Sequence, residues 1–558
     1  MPMRTPTADV YGAYPPLTDD QIAILRSCGQ VQPVREGEQL FRAGEPSEEF
    51  FVVLSGTVAV VEGHSDQEQV VQLHGPRSFL GELGVLEGQT AFLSAVVRTP
   101  GEVLAVGSAA LRDLLSREPA LGDVILRAYL LRRTMLAGAG TGFRIIGSAF
   151  SSDTRRLLEF AARNRLPHRW ADLEKDTEAE ALLMRLGIAP EETPIVVWHD
   201  YRVLRNPSNV ELARVIGLRA EAAAKTVCDL AVVGAGPGGL AAAVYGASEG
   251  LSTVVLDAVA TGGQAGTSSR IENYLGFPAG ISGMELAERA VVQANRFGAR
   301  IDVPAEAAGL EQRDGNSAVR LADGGTITAT NVVVATGARY RRLTAPGIER
   351  FEGLGVHYAA TVWEARTCRL DTVAVVGGGN SAGQAVLFLA RESPAVHLLV
   401  RGGDLEHSMS RYLIDRIERH PRIHVRLHTE VREVTGEERV ESLVVEDNRT
   451  REQQALAARA LFVFIGASPA TSWLADAVTL DRRGFIPTGQ DVAQVTADIW
   501  RPLARAPLAL ETGLPGIFAV GDVRSGSVKR VASAVGEGAM AVRLAHEHLG
   551  EVGPPAIR

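Results

Sequence analysis

The chain has 558 residues, 46% of them hydrophobic and 22% charged, and its net charge is -9. This length exceeds what one hydrophobic core supports and predicts a multidomain globular protein. The acidic balance argues against a nucleic-acid partner, which needs a basic face. No run of about 18 apolar residues occurs, so we expect no membrane-spanning helix.

Cysteine usage restricts the possible redox chemistry. The chain has only Cys28, Cys228 and Cys368, and no two of them form a C-x-x-C pair. Such usage fits a reducing compartment, so we expect a cytoplasmic protein without a disulfide framework. It also leaves the chain without two cysteines at close spacing.

Residues 15–137 are predicted to form a β-barrel or jelly roll closed by helices. Apolar residues alternate, as at Phe51 and Val53, between glycines that suit tight turns, and a helical spacing follows from about residue 110. The run Gly138–Gly142 is predicted to be a linker. Residues 142–222 then show a β-α-β-α pattern, a hairpin and a final helix.

From Asp229 the chain alternates strands and helices and contains two glycine-rich turns, within "DLAVVGAGPGGLAAAV" and "TVAVVGGGNSAGQAV". The two stretches align so that Gly234 falls on Gly377. Each combines a buried strand, a glycine turn and the start of a helix. This repeat predicts two Rossmann-like α/β domains with two dinucleotide sites.

The first turn has the pattern G-x-G-x-x-G. Its glycines allow a tight turn, close approach of a pyrophosphate and close packing of helix on strand. The next strand ends on Asp257, where an acidic residue that binds a ribose hydroxyl is expected. The predicted dinucleotide-binding residues of the turn are Gly234, Gly236, Pro237, Gly238 and Gly239.

The second turn is followed by a strand that ends near Arg401 instead of an acidic residue. An arginine at this place can meet a 2′-phosphate, which favours NADP over NAD. A solvated surface arginine is the alternative. The predicted nucleotide-binding residues of this turn are Gly377, Gly379, Asn380, Ser381 and Ala382.

From about Cys228 to its end the chain resembles a low-molecular-weight thioredoxin reductase. That resemblance implies an FAD-binding domain at 227–344 and 461–558, interrupted by an NAD(P)-binding domain at 345–460. It also implies that Asp522 binds the ribityl chain of FAD and that the helix from Val531 faces the isoalloxazine. The further matching residues, all expected at the cofactors, are Gly262, Gly263, Gln264, Asn273, Ala335, Thr336, Gly337, Gly521, Asp522, Arg530, Val531 and Ala532.

The chain departs from this family where the family carries its redox-active cysteine pair. The corresponding stretch is "GVHYAATV", in which Ala359 and Val362 occupy the two cysteine positions. Neither residue can accept electrons. We expect Cys368, six positions beyond Val362, to be an ordinary packed or exposed cysteine. His357 is a candidate proton donor near the flavin, or else a histidine on the hinge surface.

The region 142–222 resembles a thioredoxin or glutaredoxin-like fold. Thr193 and Pro194 stand where that fold places a cis-proline, and Ser151 and Ser152 stand where its C-x-x-C would be. The region is therefore predicted either to be a linker domain packed on the flavoprotein or to have a docking role. No metal-ligand spacing or serine nucleophile motif occurs in the sequence.

The N-terminal region resembles a cyclic-nucleotide-binding domain, in which Gly81 and Glu82 would begin the phosphate cassette. Glu82 would then meet the ribose 2′-hydroxyl. The phosphate-binding arginine of the cassette is missing, with Phe92 near its position. Because a buried phosphate needs a positive partner, we expect no cyclic nucleotide. A structural or dimerising role is favoured over another ligand.

The resemblance as a whole predicts an FAD-dependent pyridine-nucleotide oxidoreductase. Hydride would pass from NADPH or NADH to FAD and then to an external small-molecule or protein acceptor. Ferredoxin–NADP reductases of the thioredoxin-reductase type are an alternative, because they use this scaffold without cysteines. A non-catalytic or sensory flavoprotein is the rival. We expect a homodimer, with hinges at Gly337–Pro346 and Arg459–Gly466.

Overall fold

The computed structural model describes residues 9, 12–63, 68–82, 90–138, 142–198, 202–218, 227–268, 270–313, 315–352, 354–358, 360, 365, 368, 370–437, 439–474 and 477–552. Within these ranges, no helix combines the length and apolar character needed to cross a membrane. The elements group around separate sheets in chain order.

The N-terminal region is an antiparallel sheet closed by helices, as predicted. Its two longest strands pair with each other and carry the core residues Phe50 and Leu104, which pack with Phe79 and Tyr129. Its elements are α1 (Asp19–Arg26), β1 (Gln30–Val34), β2 (Gln39–Phe41), β3 (Glu49–Glu62), β4 (Gln69–His74), β5 (Phe79–Leu80), β6 (Ser94–Gly107), α2 (Ser108–Arg117) and α3 (Pro119–Gly138).

The middle region is a four-stranded sheet with helices, and it contains the predicted hairpin. Its elements are β7 (Phe143–Gly147), α4 (Ser152–Arg163), β8 (His168–Asp172), α5 (Thr177–Leu186), β9 (Ile195–Trp198), β10 (Arg202–Arg205) and α6 (Asn209–Val215). The strand order is β10-β9-β7-β8, with only β7 and β8 parallel. The peptide bond between Thr193 and Pro194 is cis, as expected. The thioredoxin-like assignment stays a prediction.

The first α/β sheet begins with the first glycine-rich turn. Strands β11, β12 and β13 run parallel, because buried apolar strands alternate with helices. The elements are β11 (Cys228–Val233), α7 (Pro237–Ser248), β12 (Thr253–Leu256), α8 (Gly263–Gly266), α9 (Gly283–Arg296), β13 (Arg300–Asp302), β14 (Ala307–Arg313), β15 (Asn316–Leu321), β16 (Thr326–Val334) and β17 (Ala338–Tyr340).

The second α/β sheet is inserted after β17 and has the order β18-β25-β19-β20-β21, all parallel. Its last strand crosses the predicted domain boundary at 460. Its elements, with an added three-stranded sheet, are α10 (Ile348–Phe351), β18 (Val356–His357), β19 (Val373–Val376), α11 (Asn380–Leu389), β20 (Val396–Leu399), α12 (Arg411–Glu418), β21 (Ile423–Arg426), β22 (Thr429–Thr435), β23 (Ser442–Asp447), β24 (Gln453–Ala457) and β25 (Ala460–Val463).

The chain then returns to the first α/β sheet. The returning elements are β26 (Ala467–Pro469), α13 (Gln490–Ala493), α14 (Ala497–Trp500), β27 (Ile517–Ala519) and α15 (Val531–Val552). The first α/β sheet has the strand order β13-β12-β11-β16-β15-β14. Strand β27 joins this sheet by pairing in parallel with β16. Strands β17 and β26, the two crossings between the α/β domains, pair as a two-stranded ribbon.

Candidate functional site

The first glycine-rich turn joins β11 to α7 with the geometry that a dinucleotide needs. Gly234 has a φ of +106°, and a Cβ there would overlap the carbonyl oxygen of Ala335. A Cβ at Gly239 would overlap the carbonyl oxygen of Gly234. A Cβ at Gly236 would meet only the Cα of Gly263, at 3.8 Å, so space remains at the N-terminus of α7. The residues present therefore fit a pyrophosphate.

Asp257 lies beside this turn at the end of β12. Its carboxylate accepts hydrogen bonds from the backbone N–H groups of Ala235 at 2.8 Å, Val259 at 3.0 Å and Ala260 at 3.1 Å. Asp257 thus ties the turn to the segment after β12, a role that the sequence pattern did not indicate. Its contact with a ribose hydroxyl stays a prediction.

The predicted "GGQ" loop, Gly262–Gln264, is fastened to the crossing between the domains. The side-chain amide of Gln264 donates to the carbonyl oxygen of Ala338. The hydroxyl of Thr336 donates to the carbonyl oxygen of Ala470 at 2.8 Å. The first bond links the loop to β17, and the second joins the segments that flank β17 and β26.

Several other predicted flavin-lining residues are more exposed. Asn273 is exposed in the loop after Ile271. Arg530 is exposed just before α15, and Val531 and Ala532 form the first turn of that helix. Their contacts with a flavin stay predictions.

The Gly-Asp element carries an ion network that sequence reasoning missed. The backbone N–H of Gly521 donates to Glu537 at 2.6 Å, and Glu537 forms an ion pair with Arg524 at 2.5 Å. Lys529 donates to the carbonyl oxygen of Asp522 at 2.5 Å. Burial raises the pKa of Asp522, and the carboxylate of Glu537 adds to that rise while Lys529 opposes it. Glu537 lies within the matched stretch "KRVASAVGEGAMA", which is the signal that could have found it.

The second turn repeats the geometry of the first. Gly377 has a φ of +141°, and a Cβ there would overlap the carbonyl oxygen of Phe464. Ala382 is fully buried where α11 packs on the turn. A Cβ at Gly379 would meet only the carbonyl oxygen of Ser408, at 3.8 Å. This turn therefore also leaves space for a pyrophosphate at a helix N-terminus.

Asn380 and Arg401, two of the predicted nucleotide-binding residues, have different surroundings. The side-chain oxygen of Asn380 accepts a hydrogen bond from the backbone N–H of Ser410 at 2.7 Å, so it orders the neighbouring loop. Arg401 is exposed just beyond β20, and its backbone carbonyl accepts from Asn448 at 3.0 Å. Its side chain is therefore placed at the surface, where the 2′-phosphate role remains a prediction.

The ribbon between the domains carries Tyr340, which contacts the second turn. Gly337 and Gly466 flank the ribbon with φ of +66° and +97° and lie within or at the end of the predicted hinges. The Tyr340 hydroxyl hydrogen-bonds Ser381 of the second turn. Burial raises the pKa of Tyr340, and the nearby carboxylate of Asp522 adds to this rise. Tyr340 therefore contacts the nucleotide turn beside the Gly-Asp element of the flavin domain.

Residues 228–538 match the family model described as pyridine nucleotide-disulphide oxidoreductase. The chain belongs to this family. A thioredoxin reductase of Treponema pallidum is 36% identical over 326 residues, which cover 58% of this chain and 98% of that protein. A 34.2 kDa protein in the rubredoxin operon of Clostridium pasteurianum is 31% identical over 58% of this chain and 97% of its own length.

Solved structures show the same relationship for this oxidoreductase. The crystal structure of Lactococcus lactis thioredoxin reductase in its FR conformation has a TM-score of 0.53 and 28% identity, and covers 58% of this chain and 99% of that chain. Thioredoxin reductase of T. acidophilum has a TM-score of 0.52 and 27% identity, with 59% and 100% covered. Thioredoxin-reductase-like oxidoreductases use FAD and NADPH, and this one carries both turns.

His357 of this oxidoreductase lies on β18, and its ring packs against Phe462 with 5.1 Å between centroids. Burial lowers the pKa of His357 to about 4, so the imidazole is neutral at pH 7. A proton-donor role would therefore have to use the neutral ring. Ala359 and Val362 lie outside the described residues.

The cysteines of the oxidoreductase are separate and form no disulfide. The Cys228 thiol is buried and donates to the carbonyl oxygen of Thr328 at 3.4 Å, and burial raises its pKa to about 12. Cys368 is buried in the core of the nucleotide domain, as expected for a packed cysteine. Cys28 is exposed in the N-terminal region. In the described part of the chain, no three His, Cys, Asp or Glu residues are grouped closely enough to hold a metal ion.

Residues 31–118 of the oxidoreductase match the cyclic nucleotide-binding domain model. Glu82 is buried as the resemblance implies, but it forms an ion pair with Arg132 of α3 at 2.8 Å. The cassette arginine is missing as the sequence indicates, but Arg132 of a later helix places a positive charge beside Glu82. Phe92 packs edge-on against Trp198 of the middle region, with 5.4 Å between ring centroids.

Proposed function

We propose that this oxidoreductase passes hydride from NAD(P)H to FAD and delivers the electrons to an acceptor outside its own thiols. The observation that carries the proposal is the presence of Ala359 and Val362 at the two positions where the resembling thioredoxin reductases have cysteines. Neither side chain can form a disulfide. A quinone, oxygen, a partner disulfide or another small molecule or protein carrier would then react at the flavin itself.

The cysteines that the chain does have support this proposal. Cys228 and Cys368 are buried in the cores of different α/β domains. A pKa of about 12 keeps Cys228 in the unreactive thiol form at neutral pH. Cys28 belongs to the N-terminal region. No two of these residues offer the paired thiols of a disulfide reductase.

FAD and NAD(P)H would each bind at one of the two glycine-rich turns. Gly236 and the N-terminus of α7 would hold the FAD pyrophosphate, and Asp522 would hold the ribityl chain. Gly379 and the N-terminus of α11 would hold NAD(P)H. FAD supplies a ring that can take up hydride and release electrons singly or in pairs.

Tyr340 and the ribbon hold these two sites in the observed arrangement. Because its pKa is raised, Tyr340 remains a protonated phenol at neutral pH and keeps its bond to Ser381. Rotation of the nucleotide domain about the ribbon would break this bond. We therefore assign Tyr340 a positioning role between the two binding turns.

We propose that Arg401 gives a preference for NADPH over NADH. The basis is its exposed position beyond β20 in place of an acidic residue. Arg401→Leu should raise the KM for NADPH about tenfold, equal to about 1.4 kcal/mol, and leave that for NADH unchanged. Arg391→Leu, an exposed arginine beyond the other end of α11, is the control. Equal effects on both nucleotides would remove the 2′-phosphate role.

Anaerobic stopped-flow mixing with NADPH or NADH tests the catalytic proposal against the sensory alternative. Rapid bleaching of the visible flavin band supports an enzyme, and its absence with both nucleotides supports a non-catalytic flavoprotein. A subsequent acceptor screen should include a ferredoxin, quinones, oxygen and oxidised thioredoxin. Steady turnover of thioredoxin would identify a partner disulfide as the acceptor, and reduced flavin that no acceptor reoxidises would contradict the external-acceptor proposal.

The remaining assignments extend the same proposal. We propose that the middle region is a thioredoxin-like domain that has lost its dithiol, based on its strand order and on Ser151 and Ser152. We also propose a homodimer in the cytoplasm, by analogy with the family. Sedimentation of the flavin-loaded protein measures the oligomeric state directly.

A further inference from the structure

The N-terminal region encloses a cavity of about 100 Å³ that the oxidoreductase chemistry does not use. The Glu82–Arg132 ion pair lies in its wall. Most other side chains around it are apolar, among them Phe41, Val60, Val71, Leu80, Phe92 and Leu93. The cavity is therefore a largely hydrophobic space with the Glu82–Arg132 pair, Arg133 and Arg165 in its wall.

Three buried polar atoms at this cavity have no hydrogen-bond partner among the described residues. They are Oε2 of Glu82, Nη2 of Arg132 and Oγ of Ser47, whose residues are 2%, 4% and 9% exposed. The other donors of Arg132 are used, on the carbonyl oxygens of Ala13 at 2.7 Å and Phe79 at 3.0 Å and on Oε1 of Glu82. Buried polar groups are costly without partners, so the ion pair offers one donor and one acceptor to a ligand.

The ion pair in the cavity wall is neutral as a whole, and the two further arginines of the wall share a single carboxylate. Glu82 and Arg132 neutralise each other, and the adjacent Arg133 and Arg165 both pair with Glu288. His74 also lines the cavity, and burial with the nearby Arg132 lowers its pKa to about 3, so it is neutral. Tyr14, the remaining titratable group in the wall, has a raised pKa and is a neutral phenol. Neither Glu82 nor Arg132 is therefore free to balance an ionic ligand, and the neutral pair suits an uncharged one.

We propose that this cavity binds a small uncharged amide or lactam. The ligand carbonyl would accept from Nη2 of Arg132 and from the Ser47 hydroxyl, and its N–H would donate to Oε2 of Glu82. Because the volume of about 100 Å³ is below that of a cavity of roughly 150 Å³ that accepts benzene in another protein, the ligand can be no larger than one small ring, and a cyclic nucleotide is too large. Recognition comes from the ion pair, with Arg132 as the anchor in place of a cassette arginine.

One wall of the cavity also contacts the middle region. Phe92 packs on Trp198, and the hydroxyl of Thr90 donates to the carbonyl oxygen of Ile216 at 2.5 Å. A ligand that fills the cavity therefore presses on the same segment that contacts the next domain. Tryptophan fluorescence provides an independent readout of binding.

The test uses the full-length, flavin-loaded protein and two probes of the same shape. In ligand-observed NMR titrations, 2-pyrrolidinone, which has both N–H and C=O, should bind at least ten times more tightly than cyclopentanone, which has only C=O. Glu82→Gln and Ser47→Ala should each weaken 2-pyrrolidinone binding, the former at least tenfold and the latter about threefold. Ser27→Ala, at an exposed serine, should leave it unchanged.

Equal binding of the ketone and the lactam would overturn the proposal, as would no saturable binding of the lactam. Saturable binding of cyclic AMP or cyclic GMP in place of the lactam would also overturn it. If Glu82→Gln does not fold, Ser47→Ala decides the question, because it leaves the ion pair intact. Unchanged lactam affinity in the folded Ser47→Ala protein would then contradict the assigned site.

Discussion

At the residue scale, two glycines of the flavin turn exclude a side chain for different reasons. At Gly236 an added Cβ has room, since it would meet only the Cα of Gly263, and under the proposed assignment it would intrude on the FAD pyrophosphate. At Gly239 it would collide with the carbonyl oxygen of Gly234. Gly236→Ala should therefore lose flavin while the unfolding free energy of the apoprotein changes by less than about 0.5 kcal/mol. Gly239→Ala should destabilise the apoprotein by about 1–3 kcal/mol.

Flavin absorbance per chain and chemical denaturation of the apoprotein separate these two effects. Gly536→Ala is the control, since an added Cβ there meets nothing and lies on an exposed helix position. That substitution should stabilise the protein slightly, by up to about 1 kcal/mol. Full flavin occupancy in Gly236→Ala would contradict the pyrophosphate assignment.

The low pKa of His357 predicts a loss of stability in acid. Its folded pKa of about 4 lies below the ordinary value near 6.5, so between these values the unfolded chain binds the proton more readily. The neutral imidazole makes its full contribution to the unfolding free energy above pH 6.5. That contribution decreases as the pH falls, and about 2 kcal/mol of it is lost at pH 5. His74 and His397 act in the same direction.

Denaturation curves at pH 7 and pH 5 measure this effect. His357→Gln should reduce the difference in unfolding free energy between the two pH values by about 2 kcal/mol, because glutamine does not titrate. An unchanged difference would mean that His357 is solvated in the folded protein. That result would also reopen its candidacy as a protonated donor.

At the element scale, three regions of the chain meet at one buried carboxylate. Glu288 of α9 forms ion pairs with Arg133 of α3 and with Arg165, which follows α4. Burial raises the pKa of Glu288 despite both arginines. Burial likewise lowers the pKa of Arg133 to about 10. The N-terminal and middle regions are thus attached to the flavin domain by largely buried ion pairs.

Glu288→Gln should destabilise the protein by about 3 kcal/mol, because it leaves two buried arginines without a counter-charge. Glu285→Gln, which breaks an exposed ion pair with Arg289 on the same helix, should cost less than about 0.5 kcal/mol. Denaturation of both variants checks the contrast. Similar small effects in both would show that the junction is hydrated and does not hold the domains together.

At the scale of the whole molecule, local patterns predicted both nucleotide turns and the order of their elements. Gly234 and Gly377 need only their own strand and helix, so spacing in the sequence is enough to find them. Arg132 escaped prediction because it lies 50 positions beyond Glu82 on a helix that closes the barrel. Glu288 escaped for the same reason, since its two partners come from other domains. Long-range ion pairs leave no periodic signal in the sequence.

The proposed function rests on the family relationship together with Ala359 and Val362 at the two cysteine positions of the resembling reductases. The α/β domains retain the turns, the Gly-Asp element and the ribbon. The sequence has Ala359 and Val362 where a dithiol would add a second electron store. The flavin would then be the sole redox centre of the chain.

An anaerobic reductive titration with NADPH tests most directly whether the flavin is the sole redox centre. Flavin-loaded protein should be fully reduced by one equivalent of NADPH per flavin, with no thiols gained. The double variant Ala359→Cys/Val362→Cys is the matched comparison and should take up a second equivalent if its new thiols form a disulfide. Uptake of two equivalents by the wild-type chain, or no reduction of its flavin at all, would contradict a single-flavin oxidoreductase with an external acceptor.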